Sequence, residues 1–323
     1  MEKMKAVIHT KYGPPEVLQM QEVEKPVPAS GEVLVKIHAT TVNRTDCGFR
    51  QPEYLFVRLF SGIFKPKINI LGTEFAGTVE GIGNNVTFFK VGDAVFGLNT
   101  FKFGTHAEYV CIPENKSIAL KPENMTFEEA AAVCDGLMLA INYIRKIDFK
   151  SNPKILINGA SGSIGSAAVQ LAKYYGAEIT AVCKAEHFDL IRSLGATTLI
   201  DYSTEDFTKT ELKYDTVLDA VGKSSFGKCK QILNPGGVYY STELGDWAQN
   251  VFLSPYTAIF SNKKVKFPIP TDNKEDVLFF KQLIERGNYK AIIDRKYPLE
   301  KIVEATKYVE SGEKVGNVVI TIF

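Results

Sequence analysis

The chain has few cysteines, and no two are close together. Its five, Cys47, Cys111, Cys134, Cys183 and Cys229, form no Cys-x-x-Cys pair, so neither a disulfide framework nor a zinc ribbon is predicted. An excess of charge of one sign is missing too. The 38 Lys and Arg against 37 Asp and Glu leave a net charge of +1, which argues against a nucleic-acid partner or a charged membrane surface. No apolar run approaches the roughly 20 residues of a membrane span. Residues 1–5 lack the apolar core of a signal peptide. There is no Gly-x-Ser-x-Gly elbow, and the four histidines, His9, His38, His106 and His187, are scattered, so nucleophilic catalysis has no support. Internal repeats and low-complexity segments are also absent. These absences leave the expectation of a reduced, cytoplasmic, globular protein whose 323 residues suffice for two domains.

What is present centres on residues 154–165, Lys-Ile-Leu-Ile-Asn-Gly-Ala-Ser-Gly-Ser-Ile-Gly. This stretch predicts a buried strand, a glycine-rich turn and a helix start. Ala160, Gly162 and Gly165 take the spacing of the dinucleotide-binding fingerprint, with Ala in place of the first glycine. Small residues there permit a tight turn and a close approach of backbone N–H groups to a pyrophosphate, and the helix N-terminus faces the anion. Residues 160–165, namely Ala160, Ser161, Gly162, Ser163, Ile164 and Gly165, are therefore the candidate cofactor cradle. A merely structural strand–turn–helix is the alternative.

The rhythm of the chain changes near residue 125. Before it, strands are predicted at 33–39, 77–83 and 91–97 with turns between them. Beyond it, Thr126 is a plausible N-cap with Glu128 and Glu129 in the first turn. Strands at 155–158, 178–183, 198–200, 215–220 and 236–240 then alternate with helices at 163–175, 186–194 and 226–233. Single helices between strands imply a parallel, doubly wound sheet. The tail, with helices at 276–286 and 299–311 and a strand at 318–322, is expected to return to the first domain. The expected division is a domain of residues 1–123 and 264–323 and an inserted domain of residues 124–263.

Several runs in order resemble the medium-chain dehydrogenase/reductase superfamily over essentially the whole chain. They are 71–79 (Leu-Gly-Thr-Glu-Phe-Ala-Gly-Thr-Val), 91–97 (Val-Gly-Asp-Ala-Val-Phe-Gly), the fingerprint, and 193–196 (Ser-Leu-Gly-Ala). Within the superfamily the chain is similar to the zinc-independent, quinone oxidoreductase-like branch. The resemblance implies an α/β fold: a split catalytic domain built on a partly open β-barrel, with a Rossmann domain inserted. Zinc-dependent relatives bind catalytic zinc through a Cys in a Cys-Arg-Thr-Asp run and a His in a Gly-His-Glu run. The matching positions here are Asn43 and Thr73, an amide and a hydroxyl that are poor zinc ligands. Cys47 is better read as a small packed thiol than as a ligand. No zinc is expected.

Without a Lewis acid to stabilise an alkoxide, hydride transfer suits a substrate that delocalises charge, an enone or a quinone. The resemblance makes Asn43 the catalytic candidate, a hydrogen-bond donor to the substrate oxygen; a loop-capping Asn is the alternative. Thr73 and Glu74 either support it or simply pack and pair. NADPH is the expected cofactor. The second strand of the inserted domain ends in Cys183-Lys184, where NAD enzymes place an acid, and Lys184 suits a 2′-phosphate. Tyr202 stands where relatives pack a Tyr near that phosphate, although Glu186 lies close to the acidic position. Two departures stand out. Relatives carry Gly-Leu-Thr-Ala where this chain has Leu-Met-Leu-Ala at 137–140, losing a hydroxyl near the nicotinamide. Near the terminal strand, any phosphate contact falls to Lys314 or Asn317. The long aromatic loop at 50–62 is a lid, a dimer contact or a segment packed on the barrel. Residues 250–260, apolar for a loop, stand where the family extends its sheet across a two-fold axis, so a homodimer is expected. The leading reading is thus an oxidoreductase acting on a small carbonyl or quinone. A non-catalytic nucleotide-binding sensor or scaffold, and less readily an alcohol dehydrogenase, are the alternatives.

Overall fold

The computed structural model describes residues 2–52, 57–267 and 270–322. The chain divides into two units. One combines Met1–Asp135 with Asp272–Phe323, and the other is the continuous stretch Gly136–Thr271. The sequence reading placed those boundaries at 123/124 and 263/264.

The continuous unit is built on six parallel strands: Lys154–Asn158, Glu178–Cys183, Thr198–Asp201, Tyr214–Asp219, Leu233–Ser241 and Lys264–Lys266. Numbered β1–β6 in chain order, they lie in the spatial order 3-2-1-4-5-6. Strands covered on both faces must be apolar throughout rather than alternating. Ile155, Leu156 and Ile157 in β1 and Ile179, Ala181, Val182 and Cys183 in β2 are all fully buried. The order reverses between β1 and β4, which leaves Asn158 and Asp219 side by side at the carboxyl ends of the two strands. In such sheets ligands bind outside that point.

The split unit holds a two-stranded antiparallel sheet, Lys3–Ile8 with Gln19–Glu24, and a larger sheet around the long strand Glu32–Val42. That strand pairs antiparallel with Glu74–Ile82, with Tyr109–Pro113 and with the terminal strand Asn317–Thr321. The tail thus returns to the first sheet. Thr126 caps the helix Phe127–Ala131 in a reciprocal capping box with Glu129.

Two features depart from expectation. Residues 250–260 are neither loop nor strand: Gln249–Phe260 is an α-helix, and the strand that ends the parallel sheet is Lys264–Lys266. The side chains on this helix do not all cover their own sheet. Leu253 packs against the core, but Phe252, Ile259 and Phe260 are 72, 74 and 71 % exposed. In the 50–62 loop, residues 53–56 lie outside the described residues. Of the remainder, Arg50 closes the helix Arg44–Arg50 and is fully buried, donating to the Gly13 carbonyl and Glu310. Tyr12 OH donates to the Gly62 carbonyl at 2.7 Å.

Candidate active site

The fingerprint turn leaves β1 at Asn158. Gly159 takes a positive φ of 79°, so the left-handed step falls there and Ala160 needs no such freedom. The Gly159 and Ala160 N–H groups both donate to the Val182 carbonyl, at 3.1 and 3.0 Å, pinning the turn to β2. Gly162 is the N-cap of the helix Ser163–Tyr174, and the first intrahelical bond runs from Ser166 N to the Gly162 carbonyl at 2.9 Å. The N–H groups of Ser163, Ile164 and Gly165 lie in the first helical turn, where a helix has no acceptor of its own to offer. Ser163 Oγ is buried without a hydrogen-bond partner. An orphaned hydroxyl beside first-turn N–H groups at a positive helix end fits a pyrophosphate, and Ser161 is half-buried in the same turn.

Parallel pairing brings Lys184 and Tyr202 to the same edge as this turn, because each follows the carboxyl end of a neighbouring strand, β2 or β3. Lys184 is half-exposed and 3.9 Å from Glu186. Tyr202 is exposed. Between them Asp201 accepts from Ser203 N and Oγ at 2.9 and 2.7 Å; these two bonds, with a smaller contribution from Lys184, hold its carboxyl below the usual range. Lys184 thus already faces two carboxylates, which tempers its preference for a phosphate.

Sequence reasoning missed a network at the point where the strand order reverses. Buried Asp219 accepts from Asn158 Nδ2 at 3.0 Å, from Tyr239 OH at 3.0 Å and from Ser224 N at 2.8 Å. A polar residue directly after each short apolar stretch, Asn158 after 155–157 and Asp219 after 217–218, was the available signal.

In the split unit, Asn43 follows the strand Glu32–Val42 and is the N-cap of the helix Arg44–Arg50. Its Oδ1 accepts from Asp46 N at 3.0 Å, and Asp46 Oδ2 accepts from Asn43 N at 3.0 Å. Its Nδ2 donates to Thr73 Oγ1 at 2.8 Å. The loop-capping alternative therefore describes its oxygen, and one of its two amide hydrogens is spent on Thr73. The second hydrogen is what a donor role rests on. Asn317 is a correction. Its Nδ2 donates to the Ala132 and Ile292 carbonyls at 2.9 and 3.1 Å, so both amide hydrogens are occupied and the buried side chain keeps no donor for a phosphate. Lys314 Nζ donates to the Gly316 carbonyl at 2.6 Å and lies near Asp135 and Glu74.

Near Asn43 lies a group of buried acids. Burial pushes Glu74 up to about 8 and Asp135 up to about 7, and the charges of neighbouring acids add to this. Burial also raises Asp46, against the opposing pull of His106 and the Asn43 and Gly72 N–H groups. Burial pushes the Cys47 thiol up to about 12, as expected of a small packed thiol.

A stability prediction follows. An acid raised in the folded state binds its proton more tightly there than when unfolded, where it titrates near 4.3. The contribution of this acid pair to stability should therefore be present below the unfolded carboxyl range and fall as pH rises through the raised folded range, towards about 8. Urea midpoints of the wild type and Glu74→Gln across this window check it. A wild-type-minus-variant difference that does not decline with pH would refute the assignment.

The pattern of the alcohol dehydrogenase GroES-like domain matches residues 29–123, and that of the zinc-binding dehydrogenase family matches 194–320. A 2-methylene-furan-3-one reductase of Solanum lycopersicum is 33 % identical over 98 % of this chain and 79 % of its own length. The chain belongs to the medium-chain dehydrogenase/reductase superfamily, in its quinone oxidoreductase-like branch. Another member, the chloroplastic NADPH-dependent alkenal/one oxidoreductase of Arabidopsis thaliana, is 29 % identical over 98 % of this chain and 79 % of its own. The solved structure of the quinone oxidoreductase from Coxiella burnetii superimposes with a TM-score of 0.89 at 25 % identity, covering both chains fully. The two units are this superfamily's GroES-like domain and its parallel Rossmann-like sheet. Among the described residues, no group of three or more His, Cys, Asp or Glu has an arrangement that could hold a metal ion. No helix among them is long and apolar enough to cross a membrane.

Proposed function

We propose that this protein is a zinc-independent, NADPH-dependent reductase of quinones or α,β-unsaturated carbonyls. The observation that carries this reading is the 2.8 Å bond between Asn43 Nδ2 and Thr73 Oγ1. The two positions that supply Cys and His to zinc in other members hold neutral groups here, and these are bonded to each other. The names of the tomato and Arabidopsis relatives, a furanone reductase and an alkenal/one oxidoreductase, support the substrate class and the cofactor.

NADPH, when bound, supplies the hydride. The pyrophosphate is assigned to the first-turn N–H groups of Ser163, Ile164 and Gly165 and to Ser163 Oγ, with Ala160, Ser161 and Gly162 shaping the turn, and the 2′-phosphate to Lys184 and Tyr202. Asn43 keeps one amide hydrogen to donate to the oxygen on which charge develops. The catalytic unit of this reading is the split one and the nucleotide-binding unit the continuous one. NADPH oxidation screened over quinones and enones, in chelator and with elemental analysis, tests the proposal. One tightly held zinc per chain lost together with activity, or NADPH binding without turnover on any substrate, would overturn it. The second outcome would favour a sensor or scaffold.

Lys184→Ala is expected to reduce the NADPH-over-NADH preference by about tenfold, the value of one charge-assisted contact already shared with Glu186 and Asp201. Fluorescence titration of both nucleotides measures it, and an unaltered ratio would remove Lys184 from the phosphate site.

The same proposal takes a small-molecule substrate as the ligand, with no nucleic-acid or membrane partner. It places the protein in the cytoplasm, a reducing compartment suited to five free cysteines. A second copy of the chain is assigned to the apolar face of the helix Gln249–Phe260, which lies beside Lys264–Lys266 at the open edge of the parallel sheet. Covering exposed Phe252, Ile259 and Phe260 and that edge together favours a dimer. Light scattering at micromolar concentration should give a dimer for the wild type and a monomer for Phe252→Glu; a monomeric wild type rules the dimer out.

A further inference from the structure

A buried carboxyl is costly to keep unless something in the fold needs its oxygens. Glu74 is fully buried, and its two oxygens serve two different elements. Oε2 accepts from Thr41 Oγ1, near the end of the strand Glu32–Val42. Oε1 accepts from Asp135 N at 2.7 Å, in the first turn of the helix Cys134–Ile144, where backbone donors lack intrahelical acceptors. The Glu74 carbonyl accepts from Thr40 Oγ1 at 2.6 Å. The preceding residue, Thr73, accepts from Asn43 Nδ2. The dipeptide Thr73-Glu74 thus grips Thr40, Thr41 and Asn43 at once, and Glu74 ties that grip to a helix start.

We propose that Glu74 is a positioning residue of the reduction: its side chain fixes Thr41 and the strand end from which Asn43 projects, and so holds the Asn43 amide where it meets the substrate oxygen. This rests on the reading of Asn43 as donor. A carboxyl or an amide can bridge Thr41 and Asp135, whereas an apolar side chain of the same size leaves a hydroxyl and an N–H unpaired in the interior.

Three variants test it by steady-state kinetics with NADPH and the best enone or quinone, at a temperature where melting curves show each to be folded. Glu74→Gln can accept from Asp135 N and donate to Thr41 Oγ1, and should keep kcat within about threefold of the wild type. Glu74→Ala should lower kcat about tenfold or more, with KM and the NADPH Kd nearly unchanged, since two bonds are lost. Thr41→Val loses only one and should lower kcat about three- to tenfold; it carries the test if Glu74→Ala does not fold. Combined with Asn43→Ser, the Thr41→Val loss should be smaller than the product of the single effects. Wild-type kcat in both Glu74→Ala and Thr41→Val overturns the proposal, as do multiplicative effects in the double variant. So does a Gln variant as slow as the Ala variant, since an amide can bridge the same two partners. An unchanged kcat in Asn43→Ser alone sinks the Asn43 reading instead, and any Thr41→Val loss would then be acting elsewhere.

Discussion

Gly165→Ala is expected to melt well below the wild type and to lose most of its NADPH binding. A Cβ at this position would sit 2.1 Å from the Gly159 carbonyl oxygen, 2.7 Å from Ala160 Cα and 2.8 Å from the Gly159 carbonyl carbon. All three are backbone atoms, so no side-chain rotation relieves the clash, and helix and turn must part. Overpacking of this kind costs about 1–3 kcal/mol, and each kcal/mol shifts Tm by about 2–4 °C in a domain of this size. Separating the turn from the helix also disperses the N–H groups that would receive the pyrophosphate. Gly162→Ala is the control. Its Cβ would meet only the Gly159 carbonyl oxygen, at an ordinary 3.5 Å, and its φ of −75° suits any residue. It should therefore keep nearly the wild-type Tm while weakening NADPH by about tenfold, the methyl intruding where the backbone must come close to a phosphate. Melting curves and nucleotide titrations separate the two. If Gly165→Ala melted with the wild type, the close helix–turn packing would not be what this glycine provides.

The second large effect is expected at Asn43, where stability and turnover can be separated because the two ends of the amide do different work. Asn43→Ala removes both the cap and the donor. It should cost about 0.5–2 kcal/mol of stability and lower kcat about five- to a hundredfold. Asn43→Ser keeps an oxygen to accept the Asp46 N–H, so stability should be largely restored while kcat stays low. KM and NADPH affinity should change little in either, since the interaction is made mainly in the transition state. Recovery of kcat together with stability in the Ser variant would show that the cap was all that mattered.

How far the residues alone could be read depends on the range of the forces involved. The fingerprint region was legible because a buried strand, a small-residue turn and an amphipathic helix are local patterns, and the parallel sheet followed from their alternation. The cap at Asn43 was present in the spacing too, as an Asn followed three residues later by Asp46, but the comparison with metal-binding relatives drew attention to its amide nitrogen. The helix Gln249–Phe260 was hidden by Pro255 inside it and by aromatic side chains that point to solvent rather than forming an inward stripe. The link from Glu74 to Asp135 spans 61 residues, and no periodicity connects them. Asn317 illustrates the same limit: beside a glycine it reads as a polar loop residue free to meet a phosphate, and only the folded chain shows two carbonyls occupying it.

The strand Asn317–Thr321 completes the sheet begun by Glu32–Val42, and Asn317 is tied to the Ala132 carbonyl. Between them in the chain lies the whole continuous unit. As the ribosome delivers the polypeptide, residues 136–271 emerge complete and have every strand of their own sheet at hand. The split unit must wait, with the Ala39–Val42 stretch of that strand lacking its partner, until its last strand is made. Pairing so distant in sequence is slow to form and leaves edges exposed meanwhile. The continuous unit should therefore be the first to gain native order on the ribosome, and the half that carries Asn43 the one that needs protection from aggregation during synthesis.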